Sequence, residues 1–270
     1  MTTTIATLLD AAEKLWPISG QEDWDASGPI VGSPEAKLAK LLLCVDVTDQ
    51  VLSEAVAGGF DAIVSHHPLL LRGVNTVFED RFKGKLISTL IRSGCALISA
   101  HTNADRVETG TSVKLGELFG LKKMHPIVPN QLGGGIGVYG EIEPISLADF
   151  AKKIAKLLPS TAGGVKVAGD PARTIRTVSV CAGAGDSLLS EALVKASDVY
   201  VTSDLRHHPA SEFREQAALG VDTTLIDISH WAAEWIWLET AASQLKDALP
   251  GVLVEVSEIN TDPWTFAVVQ

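Results

Sequence analysis

LAKLLLCVD (38–46), DAIVS (61–65) and CALISA (95–100) are three short apolar runs that read as buried strands. The segments between them read as helices. Thr48 with Asp49 can cap one that stops at Gly58-Gly59, and a second, about 80–93, closes at Gly94. Strand, helix, strand, helix, strand with short links implies parallel neighbours joined by right-handed crossovers. A helix over roughly residues 4–15 precedes them, and the fold class is α/β.

The texture changes from about residue 126, where Pro126, Pro129 and Gly133-Gly134-Gly135 mark entry into a second lobe. GIGVYGEIE (135–143) reads as a strand, and Ser146 begins a helix to Leu158 with Asp149 in its first turn, where a carboxylate suits the helix dipole. Further strands are expected at 164–168, 175–182, 198–203 and 222–228, and helices near 187–196 and 209–219. A long closing helix, 231–247, leads to a last strand in GVLVEVS.

Composition bounds the function. Twenty-two Lys and Arg against 33 Asp and Glu leave a net charge of −11 over 270 residues. Phosphate neutralisation needs a surplus of clustered cations, so no nucleic-acid partner is expected. No run reaches the roughly 18 uncharged apolar residues of a membrane span. The N-terminus carries Asp10 and Glu13 where a signal peptide would be basic and then apolar. A cytoplasmic chain without a membrane partner is the expectation. Cys44, Cys95 and Cys181 fall in apolar runs without CxxC spacing, which disfavours a disulfide framework and a thiolate metal site.

In open α/β sheets ligands bind outside the carboxyl ends of the strands. His66 and His67 follow one predicted strand, His101 and Asp105 another, Asp204 and His208 a third, and His230 a fourth, while His125 stands apart in a loop. Adjacent residues in a strand point to opposite faces, so His66 and His67 share a site only if a turn, favoured by Pro68, aims both imidazoles one way. Otherwise they are a loop pair, one partly buried and one solvated. His230 and Glu234 are four apart at a helix start, which is ligand spacing and also that of a surface polar pair. Asp105 in HTNAD is either a ligand or a turn aspartate. Together these make three imidazoles and two carboxylates. Such a set suits Zn²⁺, Mn²⁺ or Fe²⁺, and its size favours two divalent ions with open positions for catalysis or exchange.

The runs WDASGPIVG (24–32), CVDVT (44–48), VSHHPLL (64–70), HTNAD (101–105), TSDLRHHPA (202–210) and LIDISHWAAE (225–234) resemble, in order, the signature segments of the Nif-three-like dinuclear metal-binding family, whose members carry the name GTP cyclohydrolase 1 type 2 homolog. The resemblance makes His66, His67, Asp105, His230 and Glu234 the metal ligands, with the two carboxylates as bridges. It implies two α/β lobes facing each other across a dinuclear metal site: residues 1–125 completed by 223–270, and residues 126–222. It also implies a homohexamer, a ring of dimers, and 126–200 is too short for the extra domain of some members. Ala26, Pro29, Ser203, Pro209 and Ser229 depart from the family pattern without touching a proposed ligand.

Other features have two readings. Gly183-Ala184-Gly185-Asp186, between a strand and a helix, is a phosphate cradle or a plain tight turn. Trp231 and Trp235 share a helical face and either stack a base, meet a subunit or enter the core, while Trp237 is turned away by about 200°. An exposed apolar face on the closing helix is expected to serve the ring. His101 and His208 are candidate acid or base groups, and with Asp204 they are alternatively orienting residues or loop hydrogen-bonders. Two functions follow: a metal-dependent hydrolase acting on a small anionic, nucleotide-like substrate, or a metal-binding or metal-delivering regulatory protein without turnover.

Overall fold

The computed structural model describes residues 3–268. In chain order the elements are α1 (Ile5–Leu15), β1 (Gly28–Val31), β2 (Lys40–Cys44), α2 (Asp49–Gly58), β3 (Ala62–Ser65), α3 (Phe82–Ser93), β4 (Ala96–Ser99), α4 (Thr102–Asp105) and α5 (Thr111–Phe119). Then come β5 (Lys122–Pro129), β6 (Gly135–Ser146), α6 (Leu147–Leu157), β7 (Lys166–Ala168), β8 (Thr174–Ala184), α7 (Ala192–Ala196), β9 (Val199–Ser203) and α8 (His207–Glu215). The chain closes with β10 (Thr224–Ile228), α9 (His230–Trp235), α10 (Trp237–Ala248) and β11 (Leu253–Val256). Two compact units result: Met1–Val107 with Leu238–Thr261, and Glu108–Trp237 with Asp262–Gln270.

The first unit holds a five-stranded sheet of order β1-β4-β3-β2-β11, parallel except for β1. β3 and β4 are buried at every position, which is why they read as unbroken apolar runs. Thr48 caps α2, its Oγ1 accepting from the Val51 amide at 3.3 Å, and Gly59 ends the helix at φ 65°. A cap of this kind contributes about 1 kcal/mol. One face of α2 (Val51, Leu52, Ala55) and one of α3 (Leu86, Ile87, Leu90) pack with Leu42, Ile63 and Leu97 into the core.

The second unit holds a six-stranded mixed sheet of order β5-β6-β8-β9-β10-β7, in which β8, β9 and β10 run parallel. Its core gathers Ile127, Leu188, Val194, Tyr200, Phe213 and Leu225.

Several expectations change. The unit bounds fall at 107/108 and 237/238 rather than at 125/126 and 222/223. The physical reason is pairing: β5 joins β6, β10 joins β9, and α5 packs on β6 and β8. Pro126 and Pro129, read as a lobe boundary, lie inside β5, and His125 lies there too rather than in a loop. β5 is an edge strand, where a missing N–H breaks no ladder. The closing helix is two helices, meeting at Ile236. Its apolar face is not exposed: Trp231, Trp237, Leu238, Ala241, Ala242 and Leu245 are all buried. The last four recur at helical spacing and form one core-facing stripe. Exposed large apolar side chains include Val77, Phe78 and Phe82 in the first unit and Leu219, Trp264 and Phe266 in the second.

Candidate metal centre

Register positions the site. Ser65 at the end of β3 pairs with Ser99 at the end of β4, so the next residues of both strands leave the sheet side by side. The ladder runs slightly further, with the His66 amide donating to Cys44 O, His67 to Val45 O and Ala100 to Ser65 O, each at 2.9 Å. Both histidines of the pair turn the same way, their ring centroids 5.2 Å apart and tilted by 41°. His101 completes the group, its ring centroid 5.3 Å from that of His66 and 5.5 Å from that of His67. One ring nitrogen from each of the three lies within 4.8 Å of the others. Asp105 joins them, its Oδ1 3.6 Å from His66 Nε2.

Hydrogen bonds set the tautomers. His66 Nδ1 lies 2.8 Å from the carbonyl of Ala100, which can only accept, so Nδ1 carries the proton and Nε2 the lone pair. His67 Nδ1 lies 2.7 Å from Asp46 Oδ1, and the other Asp46 oxygen accepts from Thr261 Oγ1 at 2.6 Å. His101 Nδ1 lies 2.7 Å from Asp25 Oδ1. Asp25 is enclosed, accepting also from the Ala26 amide at 2.6 Å, the Thr102 amide at 3.0 Å, Ser27 Oγ at 2.9 Å and the Thr102 hydroxyl. Burial alone would raise its pKa. The hydrogen bonds from His101 and Thr102 outweigh burial and hold the carboxyl well below the usual carboxylate range.

The second unit repeats the device. Ile228 at the end of β10 pairs with Ser203 at the end of β9, so Asp204 and His230 emerge together. Ser229 caps α9, accepting from the Ala232 amide at 3.2 Å, and starts the helix on which His230 and Glu234 share a face. His230 Nδ1 lies 2.7 Å from Asp204 Oδ2, and its Nε2 lies 2.9 Å from Glu234 Oε1. Burial would lower the His230 pKa, but the charges of Glu234 and Asp204 raise it well above the ordinary imidazole value. Asp204 itself sits at φ 56°, a left-handed conformation that costs most side chains about 1–2 kcal/mol and that Asp and Asn reach more easily through local hydrogen bonding.

Gly183 lies within β8 rather than in a turn. It lies near the end of β8 at φ 75°, and a Cβ there would meet Glu234 Oε1 at 2.6 Å. The segment after Gly185 is a single short 3-10 turn, Asp186–Ser190, too brief to focus a helix dipole on phosphate. His208 stands apart, exposed in the first turn of α8 with its ring 5.3 Å from that of His207. Among the described residues it belongs to no group of donors close enough to hold an ion.

Sequence reasoning missed Asp25 and Asp46. Asp46 follows the carboxyl end of β2, so the rule that found the histidines covers it as well. Asp25 is linked to His101 across 76 positions, and no local spacing signals that contact.

The donor chemistry fits divalent transition ions: imidazole rings each oriented by an acceptor behind Nδ1, with carboxylate oxygens beside them. His66, His67 and His101 of the first unit could hold a metal, whereas the three cysteines are buried in the apolar runs.

Comparison with known proteins supplies the family. A Streptomyces coelicolor protein named GTP cyclohydrolase 1 type 2 homolog is 40% identical over 97% of this chain and 93% of its own length. A Mycobacterium leprae protein of the same name is 29% identical over 98% of this chain and 96% of its own length. That alignment runs over 376 positions against the 270 residues here, so the mycobacterial relative carries extra segments. A solved Staphylococcus aureus hypothetical protein superposes with a TM-score of 0.88 at 27% identity, covering 99% of this chain and 100% of that one. A Bacillus cereus protein related to NIF3 reaches a TM-score of 0.89 over 99% and 100% at 20% identity, a likeness of fold alone. The family described as Duf34/NIF3 (NGG1p interacting factor 3) matches residues 3–263, and the chain belongs to it.

Proposed function

We propose that this chain binds two divalent transition-metal ions (Zn, Mn or Fe) through His66, His67, Asp105, His230 and Glu234 and hydrolyses a small anionic, nucleotide-like substrate there. The observation that carries the reading is the shared orientation of the histidines: at each strand end Nδ1 is tied to an acceptor, which fixes the direction in which Nε2 points. Acceptors conserve that orientation whether or not an ion is bound, which is how metal ligands are pre-set. When bound, two such ions lower the pKa of water toward about 7 and polarise the bond attacked. The anionic character of the substrate follows from charge balance, since two ions bring more positive charge than Asp105 and Glu234 offset. The names of the relatives support a nucleotide-like substrate.

The deciding experiment is a metabolite screen with metal-loaded protein beside a Glu234→Gln control. Turnover of an anionic substrate by the wild type and not by the control supports hydrolysis. Metal bound without turnover on phosphate esters, nucleotides and cyclic amides favours the regulatory or metal-delivering alternative. We further propose a cytoplasmic homohexamer, a ring of dimers. The exposed Val77, Phe78 and Phe82 support association, because such side chains gain by leaving water.

A further inference from the structure

We infer that His101 is a metal ligand rather than a proton carrier, so that the first unit carries a three-imidazole site, His66, His67 and His101, that takes a divalent ion without any donor from the second unit. The inference rests on the metal-binding reading above and goes beyond its five ligands.

Three observations carry it. The candidate donor atoms of the three histidines lie within 4.8 Å of one another. Imidazole nitrogens about 2.0–2.1 Å from a tetrahedral zinc sit about 3.4 Å apart, so modest side-chain rotation closes the group on an ion. His101 is also held as the other two are, with Nδ1 on an acceptor and Nε2 carrying the lone pair. Finally, the acceptor behind His101 is the most enclosed of the set. Asp25 has a fully buried side chain and takes hydrogen bonds from His101, Ser27, Ala26 and Thr102. A proton carrier has to change its charge and partners during a cycle. A ligand has to keep one lone pair aimed at one point, and a carboxylate held by so many donors does that. Trp24, whose ring packs edge-on against His101 at 5.8 Å, limits ring rotation further. Asp25 is then a positioning residue for the ion, and Asp105 near His66 Nε2 is the carboxylate at hand to neutralise it.

The test uses full-length protein and Co²⁺ as the probe, read by visible absorption and by equilibrium titration. The double variant His230→Ala/Glu234→Gln is expected to keep one Co²⁺ per chain. Adding His101→Gln is expected to weaken that ion by at least about 100-fold and to change its absorption band, and Asp25→Asn by about 10–100-fold. His101→Ala, with imidazole added to restore the band, repeats the test without a new side chain, and near-UV circular dichroism matching wild type verifies each fold. Wild type that binds no Co²⁺ overturns the metal reading and this inference with it. Wild type that binds Co²⁺ while the double variant binds none overturns the inference alone, as does a His101 variant with unchanged affinity and spectrum.

Discussion

Asp204 reaches His230 Nδ1 at 2.7 Å from a backbone held at φ 56°, so a strained residue supports the imidazole that lies 2.9 Å from Glu234. Strain of this sort persists only where the surroundings over-determine it. Asp204→Asn tolerates the left-handed conformation but loses the charge, so it should fold like wild type and bind metal about 10–100-fold more weakly. Asp204→Ala should lose affinity similarly and also about 1–2 kcal/mol of stability. Metal titration beside thermal unfolding separates the two effects, and equal stability of both variants would contradict the role of the backbone.

Gly183 offers a steric test of Glu234. A Cβ at φ 75° and 2.6 Å from Glu234 Oε1 must displace the carboxylate. Gly183→Ala should cost about 1–3 kcal/mol and reduce metal content. Normal melting and full metal occupancy would show that Glu234 moves freely.

Acid release of metal should begin above pH 6.5, the ordinary imidazole value. A raised His230 pKa, which burial opposes and the charges of Glu234 and Asp204 produce, means that protons compete with metal earlier in the descent. In metal-free protein the same shift has the opposite consequence for stability. A group raised on folding contributes fully below its unfolded pKa, and that contribution fades as pH rises through the folded one. Elemental analysis after dialysis across pH 5–8 reads the first effect, and an onset at or below 6.5 would refute it.

Asp25 carries the opposite sign. Its folded pKa is depressed, so its stabilisation is present above the unfolded value of about 3.9 and is lost as pH falls through the folded one. Asp25→Asn should flatten acid denaturation in that window, as monitored by circular dichroism.

The thiols should be inert in the native state. Burial pushes the Cys95 thiol up to about 12, with Asp61 adding to it, and burial raises Cys44 well above its ordinary value. Since the thiolate is the nucleophile, iodoacetamide at pH 8 should modify neither until the chain unfolds. Mass spectrometry of native and denatured samples gives the answer.

Light scattering at micromolar concentration tests the assembly. A mass about six times the 28.6 kDa chain is expected, and a mass near 28.6 kDa would rule out the ring.

Periodicity and punctuation alone determined the parallel core of the first unit. Strands buried on both faces must be apolar throughout, and Thr48, Gly59 and Gly94 stop and start helices by local chemistry that needs no tertiary partner. The rule that polar residues cluster at carboxyl ends of parallel strands likewise singles out His66, His67, His101, Asp105, Asp204, His208 and His230 in the sequence. Tertiary structure decided the rest. β5 and β10 belong to the second sheet because of which strands they pair with, and a run containing Pro126 reads as a break unless its place at an edge is known. Whether Trp231 and Trp237 face water is likewise settled by packing, since an apolar side chain looks the same in sequence on either side of a helix. Asp25 and Asp46 are tied to His101 and His67 across 76 and 21 positions, and hydrogen bonds between residues so far apart leave no periodic trace, because only folding brings the partners within 3 Å.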